Sequence, residues 1–182
     1  MMPRSKIGIL VTSIGNFGEK GLYNSQEIGL GKELSRFFNS VAIYKLVKNG
    51  MGNSSEIIDG FENVTVHYIQ AANIGINGLI NTKCLETDLD ALLYFSDTQI
   101  SLGKVYRWCK NNKIPLIPYI GVMDSHSESI IKRQIASVFS KRNLHIYRKY
   151  HCLAKTPEMG KSLELKGVKK VSISPVGLDV TL

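Results

Sequence analysis

The stretch from Tyr150 to Leu182, YHCLAKTPEMGKSLELKGVKKVSISPVGLDVTL, carries a boundary signal at each point where a strand–helix–strand unit needs one. His151–Lys155 is a short apolar-centred run that reads as a strand. Thr156-Pro157-Glu158 then supplies an N-cap hydroxyl, a proline at the first helical position and an acid in the first turn. Leu163 and Leu165 fall in the predicted helix, Lys166 sits at its cation-favouring end, and Gly167 can take the left-handed stop. Val171–Ser174 reads as a second strand, closed by Pro175-Val176-Gly177-Leu178-Asp179. A helix crossing between two strands in one short span favours a parallel sheet, so this unit constrains the class of fold strongly.

The preceding chain repeats the alternation. Lys6–Ser13 is nearly continuous in apolar residues (Ile7, Ile9, Leu10, Val11), as suits a strand covered on both faces. Asn24-Ser25-Gln26-Glu27 resembles a capping box, with Leu30, Leu34, Phe37 and Phe38 as the helical stripe behind it. Val41–Val47 and Val64–Gln70 read as strands, separated by a Gly/Asn/Ser-rich loop over Asn49–Ser55. Ile76–Leu89 has a weak helical pattern, and Ala91–Phe95 is a short buried strand. Leu102, Val105, Tyr106 and Cys109 stripe a helix, with Tyr106 and Trp108 packing as core or half-buried side chains. Pro115–Ile120 is a strand, and Ser127–Tyr150 is helical, in one piece or in two divided near Asn143. The expectation is an α/β, Rossmann-like, doubly wound and mostly parallel sheet with helices on both faces. In such sheets ligands sit beyond the carboxyl ends of the strands. Functional candidates therefore fall in 13–24, 70–75, 96–100, 121–127 and 155–158.

With 182 residues, 43% of them hydrophobic and 21% charged, the chain suits one soluble domain with a substantial core. No apolar run approaches the roughly 20 residues that span a bilayer. The opening MMPRSKIGILVTS reads as a first strand, not a signal peptide. Cys84, Cys109 and Cys152 are odd in number and widely spaced, which points to a reducing compartment and buried thiols, with the cytoplasm as the default. His67, His145 and His151 have no metal-ligand spacing, so no metal or cofactor is expected. The net charge of +8 is lopsided: residues 1–125 hold 12 Lys/Arg against 11 Asp/Glu, and residues 126–182 hold 11 against 4. Much of this basicity surrounds an apolar stripe of Ile131, Ile135, Val138, Phe139 and Ile146, with Lys132, Arg133, Lys141 and Arg142 among the cations. That pattern fits first a helix packed on the sheet, which needs covering, and both readings hold if the apolar side packs inward while the cations face an anionic membrane. Without interleaved aromatics or a recognition motif, nucleic acid is not an expected partner.

Several of these segments resemble GT-B glycosyltransferases of the family-4 type. In that family a "Ser-Glu…Gly-Val…Pro-Asn-Gly-Val-Asp" pattern marks the crossing into the second domain, and Pro175–Asp179 is similar to it. The loop Thr12-Ser13-Ile14-Gly15-Asn16-Phe17-Gly18-Glu19-Lys20-Gly21 matches the family's glycine-rich first loop in position; it is neither GxGxxG nor a Walker loop. Leu30-Gly31-Lys32-Glu33-Leu34 stands where the family has "Leu-Ala-x-x-Leu". Asp90–Asp97 resembles the strand "Asp-Val-Ile-His-x-His", with Ser96 and Asp97 in place of histidines. Lys113–His126 resembles the stretch that ends in a cleft-facing polar residue, but Gly121 stands where a histidine is expected.

The resemblance implies the acceptor-binding half of an enzyme that moves a sugar from a nucleotide-sugar donor to a glycan or lipid-linked acceptor. It implies that Gly15, Asn16, Phe17 and Gly18, with Ser96 and Asp97, approach donor or acceptor. Asp124 and His126 become candidates for the general base or for binding an acceptor hydroxyl. Plain alternatives stay open: a glycine-containing turn at 12–21, and helix caps at Asp97, Asp124 or Ser125. Residues 1–174 would form the domain and 175–182 the start of a crossover to a missing C-terminal domain, leaving the chain inactive alone. Action at the inner face of a membrane is part of the same expectation. The alternative is a self-standing Rossmann-like module that binds a nucleotide or another small ligand.

Overall fold

The computed structural model describes residues 5–14, 26–48, 50, 52–75, 77–96, 100–122 and 130–175, with backbone only at 130–133, 135 and 136. Nine strands form one sheet: β1 (Lys6–Val11), β2 (Ser40–Lys48), β3 (Ser54–Ile58), β4 (Phe61–Ile74), β5 (Asn77–Leu79), β6 (Ala91–Phe95), β7 (Leu116–Ile120), β8 (Cys152–Ala154) and β9 (Val171–Ile173). Their order is β3-β4-β2-β1-β6-β7-β8-β9, with β5 on the end of β4. All pairs are parallel except β3 with β4 and β4 with β5. Four helices are described: α1 (Gln26–Leu34), α2 (Leu102–Asn112), α3 (Ile130–Tyr147) and α4 (Pro157–Leu165). This is the doubly wound, Rossmann-like architecture the alternation predicts.

Strand β1 is central, with Ile9 opposite Ile43 on one side and Leu93 on the other. Odd-numbered Ile7 and Ile9 enter the core shared with Val41, Ile43, Val64, Val66, Leu93, Phe95 and Tyr119, against which Ile28, Leu30 and Leu34 of α1 pack. The even-numbered Leu10 points to the other face, into a larger core with Tyr44, Leu92, Tyr94, Leu102, Val105, Ile146, Tyr147 and Leu163. Helices therefore cover both faces, which is why β1 has no polar alternation. Helix α1 lies close: a Cβ on Gly31 would stand 2.6 Å from Ile43 Cδ1. Buried Glu27, in its first turn, pairs with Lys45 of β2.

The terminal unit has the punctuation its sequence announces. Thr156 is the N-cap of α4, its hydroxyl accepting from the Met159 N–H at 3.2 Å, with Pro157 in the first turn. Gly167 holds φ 85°, the left-handed conformation expected of the stop.

Other expectations need correction. Ile76–Leu89 is not helical where it is described: it holds β5 and a single 3-10 turn at Thr82–Cys84. The Asn49–Ser55 loop runs into β3, which forms an antiparallel hairpin with β4. Phe37 lies past the end of α1 and is 78% exposed, so it does not extend the stripe. Helix α3 is continuous through Asn143, whose side-chain oxygen accepts from Arg142 at 2.8 Å and so does not compete for the backbone. Cys109 and Cys152 are buried as expected, but Cys84 is exposed.

Because the 80–90 crossing forms no α-helix of its own, its hold on the sheet falls to Ile80, Leu85 and Leu89 and to a polar clamp at Glu86. The Glu86 carboxylate accepts from the Tyr44 hydroxyl at 2.6 Å and pairs with Lys6 at 3.0 Å. Burial pushes this carboxyl up, but the hydrogen bonds from Tyr44 and Lys6 and the Lys6 charge outweigh it, so it titrates below the usual range. A depressed folded-state pKa stabilises the fold above the unfolded carboxylate range, and that contribution is lost as pH falls through the folded value. Glu86→Gln is therefore expected to be less stable than wild type near neutrality, and the gap should close in acid. Urea-unfolding midpoints of both proteins across the acid range measure it, and a pH-independent gap would contradict the clamp.

Candidate functional site

The two halves of the sheet diverge from β1: one runs through β2 to β4, the other begins at β6. Their carboxyl ends mark the switch point at which open α/β sheets bind ligands. The chain leaves adjacent strands β1, β6 and β7 from this one edge, at Ile14, Ser96 and Val122.

Hydroxyls gather along this edge. Thr12 Oγ1 lies 2.9 Å from the Tyr94 hydroxyl, both groups buried. Tyr94 and Ser96, two apart on β6 and beyond it, point to the same face by the strand period. Ser96 is fully buried and its hydroxyl is hydrogen-bonded to that of Tyr147, from the last turn of α3. The next layer fixes this geometry. Gly78 donates its N–H to the Thr12 carbonyl at 2.8 Å, and Ser101 donates its hydroxyl to the Gly78 carbonyl at 2.5 Å. A Cβ on Gly78 would stand 2.5 Å from Leu46 and 2.9 Å from Ile14, so this glycine lets β5 close against the end of β1. Ser101 therefore does not cap α2 with its side chain.

Arg142 overlooks the cluster. Its guanidinium donates to the Ile100 carbonyl at 3.1 Å, to Asn143 Oδ1, and lies 4.8 Å from the Phe139 ring centroid. Burial, with Arg107 nearby, holds its pKa below the ordinary guanidinium range. On the other face of the sheet, Lys155 at the end of β8 lies 5.1 Å from the Phe95 ring and 5.3 Å from Tyr119. The edge thus offers a guanidinium and an ammonium over aromatic rings, groups suited to an anionic ligand, while its hydroxyls are buried and bonded within the protein. Among the described residues, no group of His, Cys, Asp or Glu could hold a metal ion, and no helix is long and apolar enough to cross a membrane.

Of the residues the sequence nominated, Ser96 lies within this edge, but in its buried layer and engaged by Tyr147. Lys141 is exposed on α3, and Arg142 is bound to Ile100 and Asn143. Gly15, Asn16, Phe17, Gly18, Asp97, Asp124 and His126 lie outside the described residues, as do the side chains of Lys132 and Arg133. Sequence reasoning missed Thr12, Tyr94, Ser101, Asn143 and Tyr147 as site residues, while Lys155 falls in the 155–158 range it nominates. The four-residue spacing of Asn143 and Tyr147, which puts both on the buried side of α3, was an available signal.

No protein-family model matches the chain, and no curated protein does. Solved structures do. HepE of Anabaena, crystallised with UDP and glucose, superposes with a TM-score of 0.57 at 12% identity, over 96% of this chain and 45% of HepE. A HepE structure with UDP-glucose gives 0.54 at 14%, over 96% and 44%. The chain therefore spans less than half the length of the protein whose fold it shares.

The Ser96–Tyr147 contact ties β6 to α3 in the interior. Tyr147→Phe leaves a buried hydroxyl without this partner and is expected to cost about 1–3 kcal/mol. Adding Ser96→Ala should recover part of that loss. A double-mutant cycle from unfolding curves measures the coupling, and strict additivity would show that the two hydroxyls do not interact.

Proposed function

We propose that the chain is the acceptor-binding half of a GT-B glycosyltransferase that moves a sugar from a nucleotide-sugar donor to a glycan or lipid-linked acceptor. The supporting observation is the fold match to part of HepE, a protein crystallised with UDP, glucose and UDP-glucose, over 96% of this chain. Arg142 and Lys155 at the carboxyl edge are chemically consistent with it, since the diphosphate of a nucleotide sugar is anionic.

In this reading the segments leaving β1, β6 and β7 would line one wall of a cleft. Gly15–Gly18 would let backbone N–H groups approach phosphate or sugar oxygens closely. Ser96 would act from behind, holding α3 in place through Tyr147, while Asp97 would be the residue of that pair that meets the acceptor. Asp124 or His126, leaving the end of β7, would take the proton from the attacking acceptor hydroxyl. The opposite wall, with most donor contacts, would belong to a second domain. Action on the cytoplasmic side, where nucleotide sugars are the co-substrates, completes the proposal.

A half-cleft should bind donor weakly and turn nothing over. Isothermal titration of the chain with UDP and with UDP-glucose is expected to give dissociation constants above about 1 mM, with no release of UDP from UDP-glucose in the presence of saccharide acceptors. Turnover by this chain would defeat the half-enzyme reading. Micromolar nucleotide binding without turnover would instead indicate a self-standing nucleotide-binding module.

A further inference from the structure

Helix α2 and the C-terminal turns of α3, from Arg142 on, lie side by side on one face of the sheet, both running from its carboxyl edge towards its amino edge. Their seam is closed by Arg142 reaching Ile100, by Lys149 lying 5.5 Å from the Tyr106 ring, and by the edge-on Tyr106–Tyr150 pair. Neither helix contains an aspartate or glutamate: α2 reads LGKVYRWCKNN and α3 reads IIKRQIASVFSKRNLHIY. Residues 100–122 and 130–157 are free of acids altogether.

Their outward positions are cationic. On α2, Arg107 and Lys110 are exposed three residues apart. On α3 and the turn after it, Val138, Lys141, His145 and Arg148 are exposed at spacings of three or four, which places them in one stripe. Arg148 bends back to the Lys166 carbonyl, and exposed Lys149 lies beside the stripe over Tyr106. Val138 is 67% exposed at the N-terminal end of that stripe. Ordinary surface helices intersperse both signs of charge, and a cationic face built by two elements with no carboxylate repels itself unless something anionic meets it.

We propose that the outward face of α2 and α3 together is a docking surface for an anionic lipid bilayer, with α2 contributing as much as α3. Two parallel helices present a broad face, which matches a headgroup plane, and a row of cations that begins beside an exposed aliphatic residue suits the membrane interface. The nearby rings do not favour single-stranded nucleic acid: Tyr106 is packed against Tyr150 and Lys149, and Phe139 lies beneath Arg142. Each cation close to such a surface strengthens partitioning about fivefold, and the attraction falls off within a Debye length. The inference is independent of sugar transfer, because it rests on charge and packing alone.

Co-sedimentation with vesicles tests it, using phosphatidylcholine alone and phosphatidylcholine containing a third phosphatidylglycerol. The expected result is binding to the anionic vesicles only, reversed by high salt. Arg107→Glu with Lys110→Glu, and separately Lys141→Glu with Lys149→Glu, should each weaken partitioning by about twentyfold or more. Lys32→Glu, on α1 across the sheet, should leave it unchanged, and circular dichroism confirms that each variant folds. Equal binding to both vesicles, or to neither, overturns the proposal, as does retention on a nucleic-acid column without vesicle binding. Loss with the α3 pair but not the α2 pair overturns the two-helix surface.

Discussion

The structure hangs on the burial of β1 from both sides. Its backbone is paired on each edge, and its side chains feed two separate cores, Ile9 into one and Leu10 into the other. At roughly 25 cal/mol per Å² of apolar surface, a strand buried on both faces contributes about twice what an amphipathic strand of equal length can. It also removes freedom of register, since a slip of one residue would exchange the two cores. Gly8 sharpens this constraint, for a Cβ there would stand 2.7 Å from Leu89 and 2.8 Å from Leu92. With β1 fixed, the flanking parallel strands and the switch point beside it follow.

What was legible in the sequence was what local chemistry or double burial determines. The apolar runs of β1, β2 and β6 and the Thr156-Pro157 cap need no distant partner to be recognised. The crossing before β6 shows the opposite case. Leu79 and Ile80 with Leu85 and Leu89 imitate helical spacing, but the Gly78 amide and carbonyl are claimed by Thr12 and Ser101. Those partners lie far along the chain, so tertiary hydrogen bonds overrode the local pattern. The β3–β4 hairpin was hidden for a simpler reason: its first strand begins with Ser54 and Ser55, which read as loop.

The same division runs through the candidate site. The carboxyl edge was predictable from topology, because β-to-α loops of a doubly wound sheet gather there. The hydroxyl cluster was not, since Ser96 meets Tyr147 across 51 residues and Thr12 meets Tyr94 across 82. The sequence nominates Ser96 as a ligand contact, and the structure buries its hydroxyl against Tyr147. A small polar residue just past a buried strand is ambiguous between these roles until the residue opposite is known.

Helix α3 has one more consequence. At 1.5 Å per residue its 18 residues are about 27 Å long. Tyr147 and Asn143 root it beside the end of β6, and Arg142 meets Ile100 in the turn beyond that strand. The turns before Arg142 therefore run on past the rim of the sheet, like a beam clamped at one end. A tilt of about 10° at the root would carry the tip about 3 Å, by the helix rise alone. Two buried hydroxyls thus set the aim of a long arm, and a small change in how they pack would be magnified at its far end.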